Sequence, residues 1–97
     1  MNEEVHSRLH VTVSGRVQGV NFRYFVTEQA ELLVLNGWVR NKWNSTVEVT
    51  AEGSRQNLEI LLQLLRQGPP MARVDDICFE WLPYNGEFKD FQVRSTV

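Results

Sequence analysis

The sequence has one cysteine, three prolines and no apolar run approaching the length of a membrane span. A lone Cys78 cannot close an internal disulfide, which argues against a stapled secreted scaffold. Crossing a bilayer takes about 20 consecutive apolar residues, and no charged-then-apolar leader opens the chain. These absences predict a soluble, cytoplasmic protein. A large charge of one sign is missing too: 10 Lys+Arg stand against 12 Asp+Glu, for a net charge of −2. Broad nucleic-acid binding calls for a basic excess, so neither nucleic acid nor membrane is expected as a partner. No repeat, linker or low-complexity tract is visible. With 42% hydrophobic and 23% charged residues the chain is not compositionally disordered. Its 97 residues fit one domain, 1–97.

What is there is unevenly arranged. Residues 1–4 carry two acids, Glu3 and Glu4. Between Val5 and Val47 the bases Arg8, Arg16, Arg23, Arg40 and Lys42 face only Glu28 and Glu31. From Glu48 onward eight acids outnumber five bases. A locally cationic first half suits a small anionic ligand.

Arg8 to Ser14 alternates Leu9, Val11 and Val13 with polar residues, the period of a half-buried strand. Phe22, Phe25, Val26, Ala30 and Leu33 then recur at helical spacing, with Asn21 as a candidate N-cap and Asn36-Gly37 as the stop. Trp38 to Trp43 and Thr46 to Glu52 read as strands around a turn at Asn44-Ser45. Ser54 caps a second helix striped by Leu58, Leu61, Leu62 and Leu65 and ended by Gly68-Pro69-Pro70. Val74 to Leu82 is a further strand with Ile77, Phe79 and Trp81 on one face; Pro83 to Lys89 is a loop, and Phe91 and Val93 mark a short terminal strand. The order predicts an α+β sandwich, two helices covering one face of a mostly antiparallel sheet.

The most informative segment is Gly15 to Arg23, a glycine-punctuated loop between the first strand and the first helix. Glycines permit φ > 0 and close backbone approach to a ligand. Loop amides and a helix N-terminus favour an anion, and Arg23 in the first turn offers a bidentate guanidinium. The segment is thus a candidate phosphate cradle; the same spacing also describes an ordinary loop with a solvated arginine.

Gly15-Arg16-Val17-Gln18-Gly19-Val20-Asn21-Phe22-Arg23 resembles the first motif of the acylphosphatase family. Gly37-Trp38-Val39-Arg40-Asn41, with Val47 and Gly53 following, resembles the second. Gly68 to Val74 and Phe91-Gln92-Val93 are also similar to family positions, so the resemblance runs from about Leu9 to Val93. It implies a ferredoxin-like two-layer sandwich (βαββαβ, four to five strands) that hydrolyses acyl phosphates to a carboxylate and inorganic phosphate. The phosphoryl group would be bound along Gly15, Arg16, Val17, Gln18, Gly19 and Val20 with Arg23, and Asn41 would position the water. No metal or organic cofactor is implied, and the chain is expected to act as a monomer. Where the family usually has Asp-Gly before the third strand, this chain has Asn44-Ser45, which makes the turn geometry the point of departure.

This chemistry agrees with the residues present. A carboxylate leaving group, with a conjugate acid near pKa ~4, needs no general acid. Charge stabilisation and orientation of water dominate. Other titratable residues carry simpler readings. His6 and His10 are ~13 Å apart along a strand, too far to share a metal. Asp75 and Asp76 point to opposite faces, and Cys78 is expected to pack in the sheet. Trp38, Trp43 and Trp81 read as core or sheet-surface bulk, and Arg40 and Lys42 as flanking Asn41 on the opposite strand face. Two non-catalytic alternatives are an RNA-recognition domain, whose aromatic-glycine strand motif is absent, and a phosphate-binding relic that has lost turnover.

Overall fold

A computed structural model describes residues 5–97; Glu3 and Glu4 and the other residues before Val5 lie outside the described residues. The elements run β1 (His6–Arg16), α1 (Phe22–Leu32), β2 (Asn36–Asn41), β3 (Val47–Ser54), α2 (Arg55–Gln67), β4 (Arg73–Leu82) and β5 (Phe91–Val93). The strand order is β4-β1-β3-β2-β5. All neighbours are antiparallel except β2 and β5, which are parallel.

The alternation in β1 does what its period requires. Leu9, Val11 and Val13 are fully buried and lie opposite Ala51, Val49 and Val47 of β3, which are equally buried. On this face the helices dock. Leu58, Leu61, Leu62 and Leu65 form the buried stripe of α2, and Phe22, Val26 and Ala30 that of α1. Trimming one of the fully buried leucines to alanine costs about 2–5 kcal/mol. The Ser54 hydroxyl accepts from the Asn57 amide at 3.2 Å, so α2 is capped where the sequence indicates.

Three boundaries differ from expectation, each for a non-local reason. β1 does not stop at Ser14: a bulge between Ser14 and Gly15 lets it continue, pairing Gly15 with Val74 and Arg16 with Arg73. Gly15 (φ 128°) lies so close to β4 that a Cβ would run into the Arg73 carbonyl. Helix α1 ends before Asn36-Gly37, in a Schellman turn. The Leu35 amide reaches Ala30 O at 2.8 Å and the Val34 amide reaches Glu31 O at 3.1 Å, with Val34 left-handed at φ 57°. Burial of Leu35 holds that strained turn, and Asn36-Gly37 opens β2. Trp43, expected in the strand, stands 83% exposed in the β2–β3 turn.

The opposite sheet face carries charged side chains, with Glu48 and Glu52 buried among them. Glu48 accepts from Arg40 Nε at 2.7 Å and pairs with His10 Nε2 at 2.7 Å; Glu52 accepts from Arg8 Nε at 3.0 Å, and Arg8 also reaches Glu87. Trp38 lies between the Arg40 and Arg94 guanidinium groups. Cys78 pairs with Thr12 across β4–β1 but is solvent-exposed, a correction to the expectation of sheet packing. β4 is an edge strand, and none of the described elements covers this side of it.

Candidate active site

The site forms where the end of β1, the start of α1 and the end of β2 meet. The connection between β1 and α1 is residues 17–21. Val17 and Val20 anchor it in the core, 1% and 8% exposed. Gly19 between them takes φ 72°, and a Cβ there would meet nothing within 4 Å. Glycine serves at this position for its backbone conformation, on a side that is open. Asn21 occupies the N-cap position of α1 as expected, but with left-handed backbone (φ 69°) and no capping hydrogen bond from its side chain. The first helical bond runs from Phe25 N to Asn21 O. The amides of Phe22, Arg23 and Tyr24 therefore have no acceptor within the helix, the usual endowment of an anion site.

Asn41 enters from the sheet. Val39 pairs with Val49 and Asn41 with Val47, so Asn41 shares the helix-facing side of β2 with a fully buried valine. Arg40 points the other way, into its pair with Glu48. A cavity of about 500 Å³ results, lined by Val17, Gly19, Asn21, Arg23, Tyr24, Thr27, Asn41 and Val93. Arg23 and Asn41, whose convergence no sequence spacing reveals, line the same space. Among the described residues, no carboxylate does.

Two unmet demands meet in this cavity. The half-buried Arg23 guanidinium has no hydrogen bond or ion pair among the described residues. The Asn41 Oδ1 atom is buried and accepts from no described protein group. An unsatisfied buried acceptor costs about 1–3 kcal/mol, and the soft terminal torsion of an asparagine lets its amide turn to meet a ligand.

Of the expected cradle residues, Val17, Gly19 and Arg23 line the cavity. Gly15 and Arg16 belong to β1 and lie outside the lining, because the bulge carries the strand past them. Val20 turns into the core. The Gln18 side chain acts as a tether, its Nε2 donating to Lys42 O and to Thr46 O, each at 2.8 Å. It ties the 17–21 connection to the turn just beyond Asn41. In that turn the Asn44 Oδ1 accepts from the Thr46 amide and hydroxyl, and Ser45 bears the positive φ of 74°. Tyr24, Thr27 and Val93 were not expected at the site. Tyr24 and Thr27 lie one and four residues beyond Arg23, on adjoining positions of one helix face, a signal that helical spacing does carry.

His10 is committed to Glu48 and His6 stacks edge-on against Tyr84, so the two histidines serve separate contacts. Among the described residues no cluster of three or more His, Cys, Asp or Glu is placed to hold a metal ion. No helix among them is long and apolar enough to cross a membrane.

The fold and cavity define a two-layer α+β domain with a candidate anion pocket at its first strand–helix junction. A model of the acylphosphatase family matches residues 9–93. An acylphosphatase of Pelotomaculum thermopropionicum is 46% identical over 87 residues, 90% of this chain and 95% of its relative. One from Pyrobaculum aerophilum is 47% identical over 92 residues, 94% and 97% of the two chains. The solved acylphosphatase of Coxiella burnetii superposes with a TM-score of 0.88 at 42% identity, over 97% of this chain and 100% of the other. The chain belongs to the acylphosphatase family.

Proposed function

We propose that this enzyme hydrolyses acyl phosphates by gripping the phosphoryl group with the 17–21 connection, the first amides of α1 and Arg23, while Asn41 orients the attacking water. The activity itself, cleavage of an acyl phosphate to a carboxylate and inorganic phosphate, is that of the family to which the chain belongs. The assignment of roles rests on one observation: the unpaired Arg23 guanidinium and the unsatisfied Asn41 amide line the same carboxylate-free cavity.

The water oxygen bonds to phosphorus as the phosphorus–oxygen bond to the acyl group breaks. The carboxylate departs with that electron pair. Its low basicity removes the need for an acid, and a phosphoryl oxygen of the substrate takes the water proton. What remains for the protein is electrostatics and placement. Arg23 and the helix amides face the phosphoryl oxygens, where charge must be held, and Asn41 restricts the approach of water to the line of attack. A phosphate-binding relic would retain the first half of this arrangement without needing the second.

The same reading gives a single domain, supported by one contiguous core, that acts as a monomer. A cytoplasmic location is supported by the exposed free thiol of Cys78, which a reducing compartment tolerates. Hydrolysis of benzoyl phosphate in ¹⁸O-water tests the geometry. Label is expected in inorganic phosphate alone. Label in benzoate would mean that water attacks the carbonyl and that the cradle does not hold the reacting centre.

A further inference from the structure

The cavity is too large for its anionic half. A water molecule takes ~30 Å³ of liquid, and a phosphoryl group roughly twice that, against about 500 Å³ available. Tyr24 and Val93 belong to its lining. Tyr24 is 64% exposed and its hydroxyl has no hydrogen-bond partner among the described residues. Val93 is 51% exposed although it pairs with Val39 and shares the helix-facing side of β5 with Phe91, which is buried. Phe91 suffices to anchor that strand. Val93, two residues on, lines the cavity together with Tyr24 and Thr27 of α1.

We propose that Tyr24 and Val93 form an acyl-binding wall that makes this enzyme favour aromatic and bulky apolar acyl phosphates over small ones. The inference rests on the proposed binding of the phosphoryl group at Arg23. With the phosphoryl group on Arg23, Tyr24 and Val93 are exposed apolar surfaces of the lining left for the acyl end. Tyr24 and Arg23 line the same cavity, which puts the tyrosine ring within the space open to an aryl group on the leaving carboxylate. An acetyl group is too short to use either side chain. Because the leaving group keeps this contact as the bond breaks, the contact holds substrate and transition state alike and is read in kcat/KM.

The test is the ratio of kcat/KM on benzoyl phosphate to that on acetyl phosphate, compared between variants so that intrinsic reactivity cancels. Tyr24→Ala is expected to lower the ratio about fivefold and Val93→Ala to lower it less, whereas Tyr24→Phe retains it. Both positions are exposed, so their truncation leaves the core intact. Ratios equal to wild type in both alanine variants, or equal losses on the two substrates, overturn the acyl wall while leaving the phosphoryl assignment standing. If the wild-type enzyme hydrolyses neither compound, the reading of the site fails and the wall with it.

Discussion

Replacing Gln18 separates the building of the site from its chemistry. The side chain makes two hydrogen bonds across the gap between the 17–21 connection and the β2–β3 turn. In Gln18→Ala both acceptors keep a second partner: Lys42 O still accepts from Ser45 N, and Thr46 O from Lys42 N. No carbonyl is orphaned. The loss is the net value of two hydrogen bonds, about 1 kcal/mol each, or about 2 kcal/mol in total. For a domain of this size that is a fall in Tm of roughly 8–16 °C. Activity should suffer more than folding, because the tether sets the distance between cradle and Asn41. Misplacement by about 1 Å costs on the order of a hundredfold in kcat. Thermal melts and steady-state hydrolysis of benzoyl phosphate read the two effects. Gln18→Glu decides the cause, since a carboxylate facing two carbonyls repels where the amide donated. It should be less stable than Gln18→Ala at pH 7. A Gln18→Glu protein as stable and active as wild type would refute the tether.

Val34→Gly and Ser45→Gly relieve two left-handed non-glycine residues, and each is expected to stabilise by about 1 kcal/mol in urea titrations; destabilisation at Val34 would contradict the Schellman reading. Burial would raise the Glu48 carboxyl, but hydrogen bonds from His10 and Arg40 outweigh it and leave the group below its ordinary value of 4.5. The stability it contributes is therefore complete above that value and drains away as pH falls through the lower, folded one. Glu48→Gln should be less stable than wild type at pH 7 by about 1–2 kcal/mol and lose less on acidification below 4.5. Parallel pH curves for the two proteins would remove Glu48 from the account.

The sequence discloses what is local. Leu9, Val11 and Val13 alternate because one strand face is buried, and the four leucines of α2 repeat because one helix stripe is; both packed as their periods require. Asn41 was legible through its motif and Arg23 through its place in the first helical turn. What escaped depends on partners distant in the chain. Only the pairing with Arg73 and Val74 carries β1 through Gly15 and Arg16. The tethering role of the Gln18 side chain stays hidden until the turn 24–28 positions later supplies its acceptors. Val93 joins the site because β5 adds to β2 in parallel, a register that a three-residue strand cannot announce. Cys78 sits in an apolar-looking strand, yet its exposure depends on which face the helices leave bare.

The division of labour between Arg23 and Asn41 is tested most directly by measuring inorganic phosphate affinity and kcat on benzoyl phosphate in the same two variants. Asn41→Ala should bind phosphate like wild type while kcat falls at least about a hundredfold, and Arg23→Ala should lose both. Near-wild-type turnover in Asn41→Ala, or undiminished phosphate binding in Arg23→Ala, would contradict it.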